Sequence, residues 1–338
     1  MQQFYAINNL PPEILRGIDL VAANTLQHMK SLKPLEVNLP SIDELTKRGW
    51  PTDAVVLARG PSFFRQGYVE TLKKARESGR QFILLCADGT VANCLDKGLT
   101  PDIVVTVDPS IRILRWFGDR EGLTAKDDYF LKDRDSPKDR KALIDPARTI
   151  DLLNKFGPQL TVAVDVFTHE KVLERLLSIG AKVFLYFPMS DDEQYMADMW
   201  KRYPDLVSLS CGGNVGTAAY NLARFLGVSR LCLCGFDFGY PPGTPLQQTQ
   251  YFDLIAKDPQ LAKQMFVTVK NPQLRRAWFT DKVYLGYAHT LLRMIQSAAS
   301  EGVQTVNATN GGILFGAKLE WSNLTDFLKR TPIAAKKS

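Results

Sequence analysis

Residues 82–109, FILLCADGTVANCLDKGLTPDIVVTVDP, determine the predicted fold of this chain. Two short apolar runs, at 82–86 and 103–107, predict buried parallel strands, because such strands are covered on both faces. Asp88 and Asp108 follow these strands closely. In open α/β sheets, ligands bind outside the carboxyl ends of the strands. The two carboxylates therefore predict a site for a nucleotide ribose, a metal ion or a polar substrate.

The same alternation of strands and helices extends along most of the chain. Further strands are predicted at 54–58, 161–167, 183–187, 230–234 and 304–307. Helices are predicted at 65–78, 90–97, 169–179, 214–226 and 322–330. This alternation indicates an α/β fold with a doubly wound, mostly parallel, Rossmann-like sheet that is covered by helices on both faces.

The regions outside this pattern divide the chain. Residues 1–50 are predicted to be an N-terminal helical extension, and residues 51–236 a nucleotide-binding core. Residues 237–300 are predicted to be a helical cap with a helix over 274–300, after which 301–330 return to the core and 331–338 form a tail. Residues 118–141 carry 14 charged side chains in 24 positions, which predicts an exposed excursion because so few apolar groups can be buried.

Composition limits the classes of function. The net charge of +6 fits an anionic ligand such as a nucleotide, but no dense run of Lys and Arg indicates nucleic-acid binding. No apolar run approaches the roughly 20 residues of a membrane span. The five cysteines lack zinc-ligand spacing and indicate reduced thiols in a cytoplasmic protein.

Four glycine-containing turns follow predicted strands or precede a helix. The turn at 60–62 and the segment at 212–216 could bind an anion through backbone N–H groups that lead into a helix. Asp237, in GFDFGY at 235–240, and the polar residues of NATNGG at 307–312 could contact ribose or sugar hydroxyls. For each of these motifs, a turn selected for its backbone shape is the alternative.

Histidines supply two candidate general bases. His169 lies between a predicted strand and the following helix, and His289 lies within the predicted cap. A position at a helix terminus is the alternative for His169, and a surface or core position is the alternative for His289. No spacing of nucleophile, His and Asp indicates a hydrolase triad.

Taken in order, the motifs resemble the family of 6-hydroxymethylpterin diphosphokinase-like proteins. The resemblance spans residues 50–316 and rests on ARGPS at 58–62, ADGT at 87–90, PDIVV at 101–105, GGNVG at 212–216 and GFDFG at 235–239. One branch of this family implies transfer of diphosphate from ATP with magnesium. The other, the motility accessory factors, implies transfer of a nonulosonic acid to flagellin from a CMP-activated donor, without a metal.

The residues favour the second branch. The diphosphokinase pattern has an Asp-x-Asp pair after the Pro-Asp strand, whereas this chain has Asp108 alone. The NATNGG segment resembles the Asn-Ala-Thr-x-Gly-Gly element of the glycosyltransferase branch. The leading hypothesis is therefore a cytoplasmic, motility-accessory-factor-like glycosyltransferase, for which the resemblance implies no metal in the chemistry, with a CMP-activated nonulosonic acid as donor and flagellin or another protein or glycan as acceptor.

The hypothesis assigns residues to roles. The predicted catalytic residues are Asp88, Asp108, His169 and His289. The predicted nucleotide- and substrate-binding residues are Gly60, Pro61, Ser62, Asp88, Gly89, Thr90, Asp102, Asp108, Gly212, Gly213, Asn214, Gly216, Asp237, Asn307 and Thr309. The segments at 1–30 and 274–300 are candidate subunit contacts of a homo-oligomer.

Two alternatives remain open. The first is a diphosphokinase that acts on a hydroxymethyl pterin, in which Asp88, Asp102 and Asp108 would hold magnesium. The second is a non-catalytic module that binds a nucleotide or a sugar within a larger assembly.

Overall fold

The computed structural model describes residues 4–5, 7, 10–119, 144, 146–245, 249 and 265–333. Its strands are β1 (Phe4–Tyr5), β2 (Asp53–Leu57), β3 (Ile83–Ala87), β4 (Ile103–Thr106), β5 (Thr161–Asp165), β6 (Lys182–Pro188), β7 (Ser208–Leu209), β8 (Arg230–Cys234), β9 (Phe266–Asn271), β10 (Arg276–Asp281), β11 (Gln304–Asn307) and β12 (Leu319–Trp321). Its helices are α1 (Pro12–Ser31), α2 (Tyr68–Glu77), α3 (Val91–Asp96), α4 (Pro146–Phe156), α5 (Glu170–Ser178), α6 (Glu193–Arg202), α7 (Val215–Phe225), α8 (Lys282–Ser300) and α9 (Leu324–Lys329).

The main sheet confirms the predicted doubly wound fold. Its described strands run in the order β12-β11-β8-β2-β3-β4-β5-β6-β7, and every pair is parallel. From β2 to β7 the chain advances toward one side of the sheet. It then returns to β8, beside β2, and continues to the other side. The strand order therefore reverses between β2 and β8, and this reversal is where such sheets bind ligands.

Helices cover both faces of this sheet. Val55 and Leu57 of β2 pack into the cluster that includes α2, α3, α4 and α5. Ala54 and Val56 pack into the opposite cluster, with α1, α7 and α8. Because neighbouring residues of a strand point to opposite faces, a strand that is buried on both faces needs a continuous apolar run, and β2 has one.

The N-terminal extension is helical only in part. In α1, Ile14 and Ile18 are one turn apart on the same face of the helix, and both are buried. Ile18 packs on Gly286 of α8, where an added Cβ would lie 3.3 Å from Cγ2 of the isoleucine. None of the described helices is long and apolar enough to cross a membrane.

The prediction of helix throughout 274–300 is wrong at its beginning. Strands β9 and β10 form an antiparallel hairpin, β1 pairs with β9, and the helix begins only at Lys282. Asn271 closes the hairpin turn, because its Oδ1 accepts hydrogen bonds from the backbone N–H groups of Gln273 and Leu274. Residues 276–281 pair with β9 instead of extending the helix, and Asp281 caps the helix at its actual start, because its Oδ1 accepts a hydrogen bond from the Tyr284 N–H. Apart from residues 118 and 119, the predicted charged excursion lies outside the described residues, as does the predicted tail beyond 333.

Asp165, at the end of β5, offers a test of this buried sheet. Burial raises the pKa of Asp165 from 3.8 to about 8, and a hydrogen bond from the Phe167 N–H opposes that rise. Between these two pH values the folded state holds a proton that the unfolded state has released. The free energy of unfolding of the parent protein therefore falls with rising pH in this window, by at most about 1.4 kcal/mol per pH unit.

We expect Asp165→Asn to remove this contribution, so that the stability of the variant relative to the parent increases between pH 4 and pH 8. Urea unfolding at several pH values measures the difference. Asp151→Asn, an exposed substitution on α4, controls for the loss of a carboxylate. Parallel stability curves for Asp165→Asn and the parent would contradict the expectation.

Candidate functional site

The loops that follow β2 and β8 are joined at the point where the strand order reverses. The N–H of Ala58 donates to the carbonyl of Cys234 at 2.8 Å, and the N–H of Gly60 donates to the carbonyl of Gly235 at 2.9 Å. An added Cβ on Gly60 would overlap this carbonyl and the carboxylate of Asp237. The glycine at 60 is thus required by close packing between the two loops.

The side chain of Asp237 also connects these two loops through hydrogen bonds. Its Oδ2 accepts hydrogen bonds from the Ser62 hydroxyl at 2.7 Å and from the Ser62 N–H at 3.1 Å. Asp237 is 1% exposed, and burial raises its pKa to about 6, although the bonds from Ser62 lower it. Pro61 begins the short 3₁₀ helix Pro61–Phe64 that carries Ser62.

Asp88 lies at the carboxyl end of β3, one strand from the reversal. Its Oδ1 accepts from the Gly89 N–H at 2.6 Å, and its Oδ2 accepts from the Thr106 hydroxyl at the end of β4, at 2.9 Å. Burial raises the pKa of Asp88 to about 6, against the effect of these bonds. Thr90 is buried, and its hydroxyl donates to the Ala87 carbonyl.

Asp108 faces solvent beside Asp88, as the sequence predicts for two neighbouring strand ends. The two are close enough for the charge of Asp108 to raise the pKa of Asp88. Oδ1 of Asp108 accepts from the Ser110 N–H at 2.8 Å. Although part of the side chain is exposed, the neighbouring protein desolvates the Asp108 carboxyl and raises its pKa, which outweighs the lowering by the Ser110 N–H, Arg112 and Arg115.

Two arginines stack on Trp116 at this edge. The guanidinium carbon of Arg59 lies 4.5 Å from the centroid of the Trp116 ring, and that of Arg115 lies 3.9 Å from it. The absence of a side chain at Gly89 leaves room for Arg59 to reach Trp116, because an added Cβ at Gly89 would lie 2.6 Å from the Arg59 Cδ. The carboxylates of Asp88 and Asp108 thus lie beside a group of cations held by aromatic rings.

The glycine-rich segment before α7 contacts α8. Gly212 and Gly213 adopt left-handed conformations, with φ of +57° and +81°, and an added Cβ at Gly213 would lie 2.5 Å from the Tyr287 ring. Asn214 caps α7, because its Oδ1 accepts from the Thr217 N–H. Gly216 packs against Phe236.

Asn307 and Thr309 support the edge from within. Both are buried. Nδ2 of Asn307 donates to the Leu314 carbonyl at 2.7 Å, and its Oδ1 accepts from the Thr309 N–H at 3.0 Å. The Thr309 hydroxyl accepts from the Phe236 N–H at 3.0 Å. These side chains hold the turn after β11 against the loop after β8.

The structure does not bring Asp102 to this edge. Asp102 precedes β4, so it lies at the amino end of the strand, where it pairs with Arg76 and accepts from the Leu84 N–H. The predicted magnesium set of Asp88, Asp102 and Asp108 therefore does not form one cluster. In the described part of the chain, no group of three or more His, Cys, Asp or Glu side chains is arranged to hold a metal ion.

The two predicted bases, His169 and His289, make their local contacts away from the two carboxylates, whereas His28 of α1 lies close enough to Asp108 to lower its pKa. His169 caps α5, and its Nδ1 accepts from the Lys171 N–H at 3.2 Å. His289 interacts electrostatically with Asp19 of α1, while desolvation lowers its pKa. Two positions earlier on α8, Tyr287 lies close enough to Asp108 for that charge to raise its pKa, although burial is the larger cause of a value of about 12.

The sequence motifs predict no site role for Arg59, Arg115, Trp116 or Tyr287. Arg59 adjoins the glycine of the turn after β2, and Arg115 and Trp116 follow shortly after Asp108. Their proximity to the predicted motifs was an available signal. Tyr287 and His289 lie two positions apart on one helix, so the helical period already places them on nearly opposite faces.

Chemically, the edge offers hydrogen-bond acceptors beside cations. Carboxylates accept bonds from ligand hydroxyls, and arginines bind phosphate or carboxylate groups. Gly213 and the N-terminus of α7 add backbone donors near Tyr287. Such a combination suits a ligand that carries both hydroxyls and negative charge.

Comparisons with known proteins agree with this architecture. A family model described as 6-hydroxymethylpterin diphosphokinase MptE-like matches residues 26–121 and confirms the predicted resemblance over that segment. A solved structure, that of the MAf glycosyltransferase from Magnetospirillum magneticum AMB-1, is similar over 89% of this chain, with a TM-score of 0.53 and 13% identity. This chain spans 36% of that glycosyltransferase, and the likeness supports the fold. No curated protein matches the sequence.

The packing at Gly60 can be tested directly. We expect Gly60→Ala to lower the free energy of unfolding by about 1–3 kcal/mol, because the new methyl group overlaps Asp237 and a backbone carbonyl. Gly17→Ala is the matched control. The nearest atom to its new methyl group is the Lys282 Cδ at 3.6 Å, and alanine within a helix stabilises by up to about 1 kcal/mol. If urea unfolding showed that both variants change the free energy of unfolding in the same direction, the close packing of the loops at Gly60 would be contradicted.

Proposed function

We propose that this protein is a glycosyltransferase that uses a CMP-activated nonulosonic acid as donor. One observation carries the proposal, namely the placement of Asp88 and Asp108 beside Arg112 and Arg115. Tyr287, which lies near Asp108 and packs against Gly213, connects this edge to the segment before α7. In this proposal the carboxylates accept hydrogen bonds from ribose or sugar hydroxyls, and the arginines bind the phosphate. The likeness in fold to a glycosyltransferase supports the choice of reaction.

The proposed reaction needs a base for the acceptor hydroxyl. The hydroxyl oxygen bonds to the anomeric carbon of the donor, the bond from that carbon to the phosphate oxygen breaks, and CMP leaves with the bonding electrons. Asp88 is the better placed of the candidate bases, because its pKa of about 6 lies near neutral pH and it lies beside Asp108 and the arginines. His169 and His289 remain proposed bases only if substrate binding brings them nearer.

A diphosphokinase that uses ATP and magnesium is the second candidate. The description of the matching family model favours it, and Asp88 with Asp108 supplies two of the three proposed carboxylate ligands. Asp102 would play no part, because it lies at the opposite end of β4. A cytoplasmic location, and flagellin as the acceptor, are further elements of the glycosyltransferase proposal.

Calorimetry separates the candidates. We expect magnesium to leave the affinity for CMP unchanged, and likewise the affinity for CTP, because arginines rather than a metal would hold the phosphate. ATP binding that requires magnesium would instead establish the diphosphokinase. Absence of binding by all three nucleotides, together with copurification of a larger partner, would favour the non-catalytic module.

Asp88→Ala tests the carboxylate edge. Since a hydrogen bond to a charged group contributes about 1.5–3 kcal/mol, we expect at least about tenfold weaker CMP binding and loss of transfer. Asp102→Asn is the control, because it removes a partly buried carboxylate from the opposite end of the neighbouring strand. Parent-like binding and turnover by Asp88→Ala, or equal losses in both variants, would contradict the proposed site.

A further inference from the structure

A recess opens beside the turn at 60–62. It has a volume of about 610 Å³, and its lining includes Arg65, Gln66, Asp237, Arg276, Trp278 and Asn310. These residues belong to the loops after β2, β8 and β11 and to the β9–β10 hairpin. Asp88 and Asp108 follow β3 and β4, on the opposite side of β2 in the sheet. We name this recess the Asp237–Trp278 cavity.

Two polar groups in the wall of this cavity lack a hydrogen bond from any other residue. Within the described ranges, Nε1 of Trp278 is buried without a hydrogen-bond partner, and Oδ1 of Asp237 is buried with no partner on another residue. The two residues are 1% and 7% exposed. A buried polar group without its hydrogen bond destabilises the folded state, and a protein tolerates this best where a ligand supplies the missing bond. One group is an acceptor and the other is a donor, so the ligand must offer both.

Gly311 packs directly against both groups. A Cβ at this position would lie 2.7 Å from Oδ1 of Asp237 and 3.2 Å from Cη2 of Trp278. The residues on either side, Asn310 and Gly312, have φ of +51° and +75°. Since the two unsatisfied atoms expose almost no area, a ligand group reaches them by displacing this turn.

The charge of the cavity selects an anion. Arg276 is exposed on the hairpin, and Arg65 lies near enough to Asp237 to lower its pKa. Two arginines can bind a carboxylate or a phosphate, while the Asp237 carboxylate requires a hydroxyl or another donor. Trp278 adds an apolar ring of the kind against which a sugar can pack.

We propose that the Asp237–Trp278 cavity binds a hydroxylated anion, a sugar acid or a sugar phosphate, at a site separate from that of the nucleotide. The arginines hold the anionic group, and the hydroxyls lie toward Asp237. Ser62, which donates to Asp237, also lines the cavity. Assignment of the bound sugar as the acceptor rests on the proposed function, whereas its binding does not.

Calorimetric titration of the full chain with glucuronic acid, glucose 6-phosphate and glucose tests the proposal. We expect saturable binding of one or both anions, and weaker binding of glucose. Glucuronic acid alone would identify a carboxylate site, and glucose 6-phosphate alone would identify a phosphate site. No saturable binding of either anion would overturn the proposal.

Two neighbouring arginines provide matched variants. Arg276→Glu places a negative charge in the cavity, and we expect at least about tenfold weaker binding of the anion that binds the parent, since the change removes a charge-assisted hydrogen bond. Arg275→Glu makes the same change at an exposed position of the same hairpin that does not line the cavity, and should retain affinity to within about twofold. Equal weakening in both variants would show a general effect of net charge and overturn the assigned site.

The Trp278 indole supplies a readout that is independent of affinity. Its N–H resonance, assigned with Trp278→Phe, should shift as the anion is titrated. An unchanged Trp278 resonance at saturation would place the anion elsewhere. Binding of the anion without CMP binding would refute the proposed function alone, while CMP binding without anion binding would refute the cavity alone.

Discussion

The pair of hydrogen bonds from Ser62 to Asp237 is the constraint on which the carboxyl edge depends. It joins the first and last loops of the region where the strand order reverses, and it does so beside a backbone bond from Gly60 to Gly235. A carboxylate that is buried here costs free energy, and the pKa of about 6 expresses that cost. The two Ser62 bonds offset part of it, so the carboxylate remains in place to divide the edge into two regions.

The division gives the two regions different chemistry. On the β3–β4 side, Asp88 and Asp108 lie among arginines that are held by Trp116, and the nearby start of α7 adds backbone donors. On the β8–β11 side, the same β8 loop presents Asp237 to a cavity bounded by the hairpin. The hairpin therefore has a clear structural role, since it supplies Arg276 and Trp278 to a wall that the main sheet alone would leave open.

Much of the fold could be predicted because parallel strands need unbroken apolar runs. The strands around Asp88 and Asp108 and the strand before Asp237 were all identifiable in this way. The hairpin was not, because Asn271 determines it through a turn that periodicity cannot detect. Asp102 was assigned to the site from its motif, although its position before a strand places it at the amino edge. His169 and His289 were predicted from the chemistry of imidazole, which does not say where a side chain points. The position of Tyr287 beside Asp108 depends on how α8 is rotated about its axis, which the motifs do not give.

The separation of Ser62 and Asp237 along the chain has a consequence for folding. The two residues are 175 positions apart, and β8 inserts beside β2 only after the strands on the other side have been made. Closing so long a loop costs conformational entropy before the contacts between the two strands form, and parallel sheets built from such distant segments fold slowly. Because β8 is synthesised after β3 to β7, one edge of β2 stays unpaired until β8 has left the ribosome. Folding of this protein is exposed to mispairing at that edge for longer than at any strand pair formed in sequence.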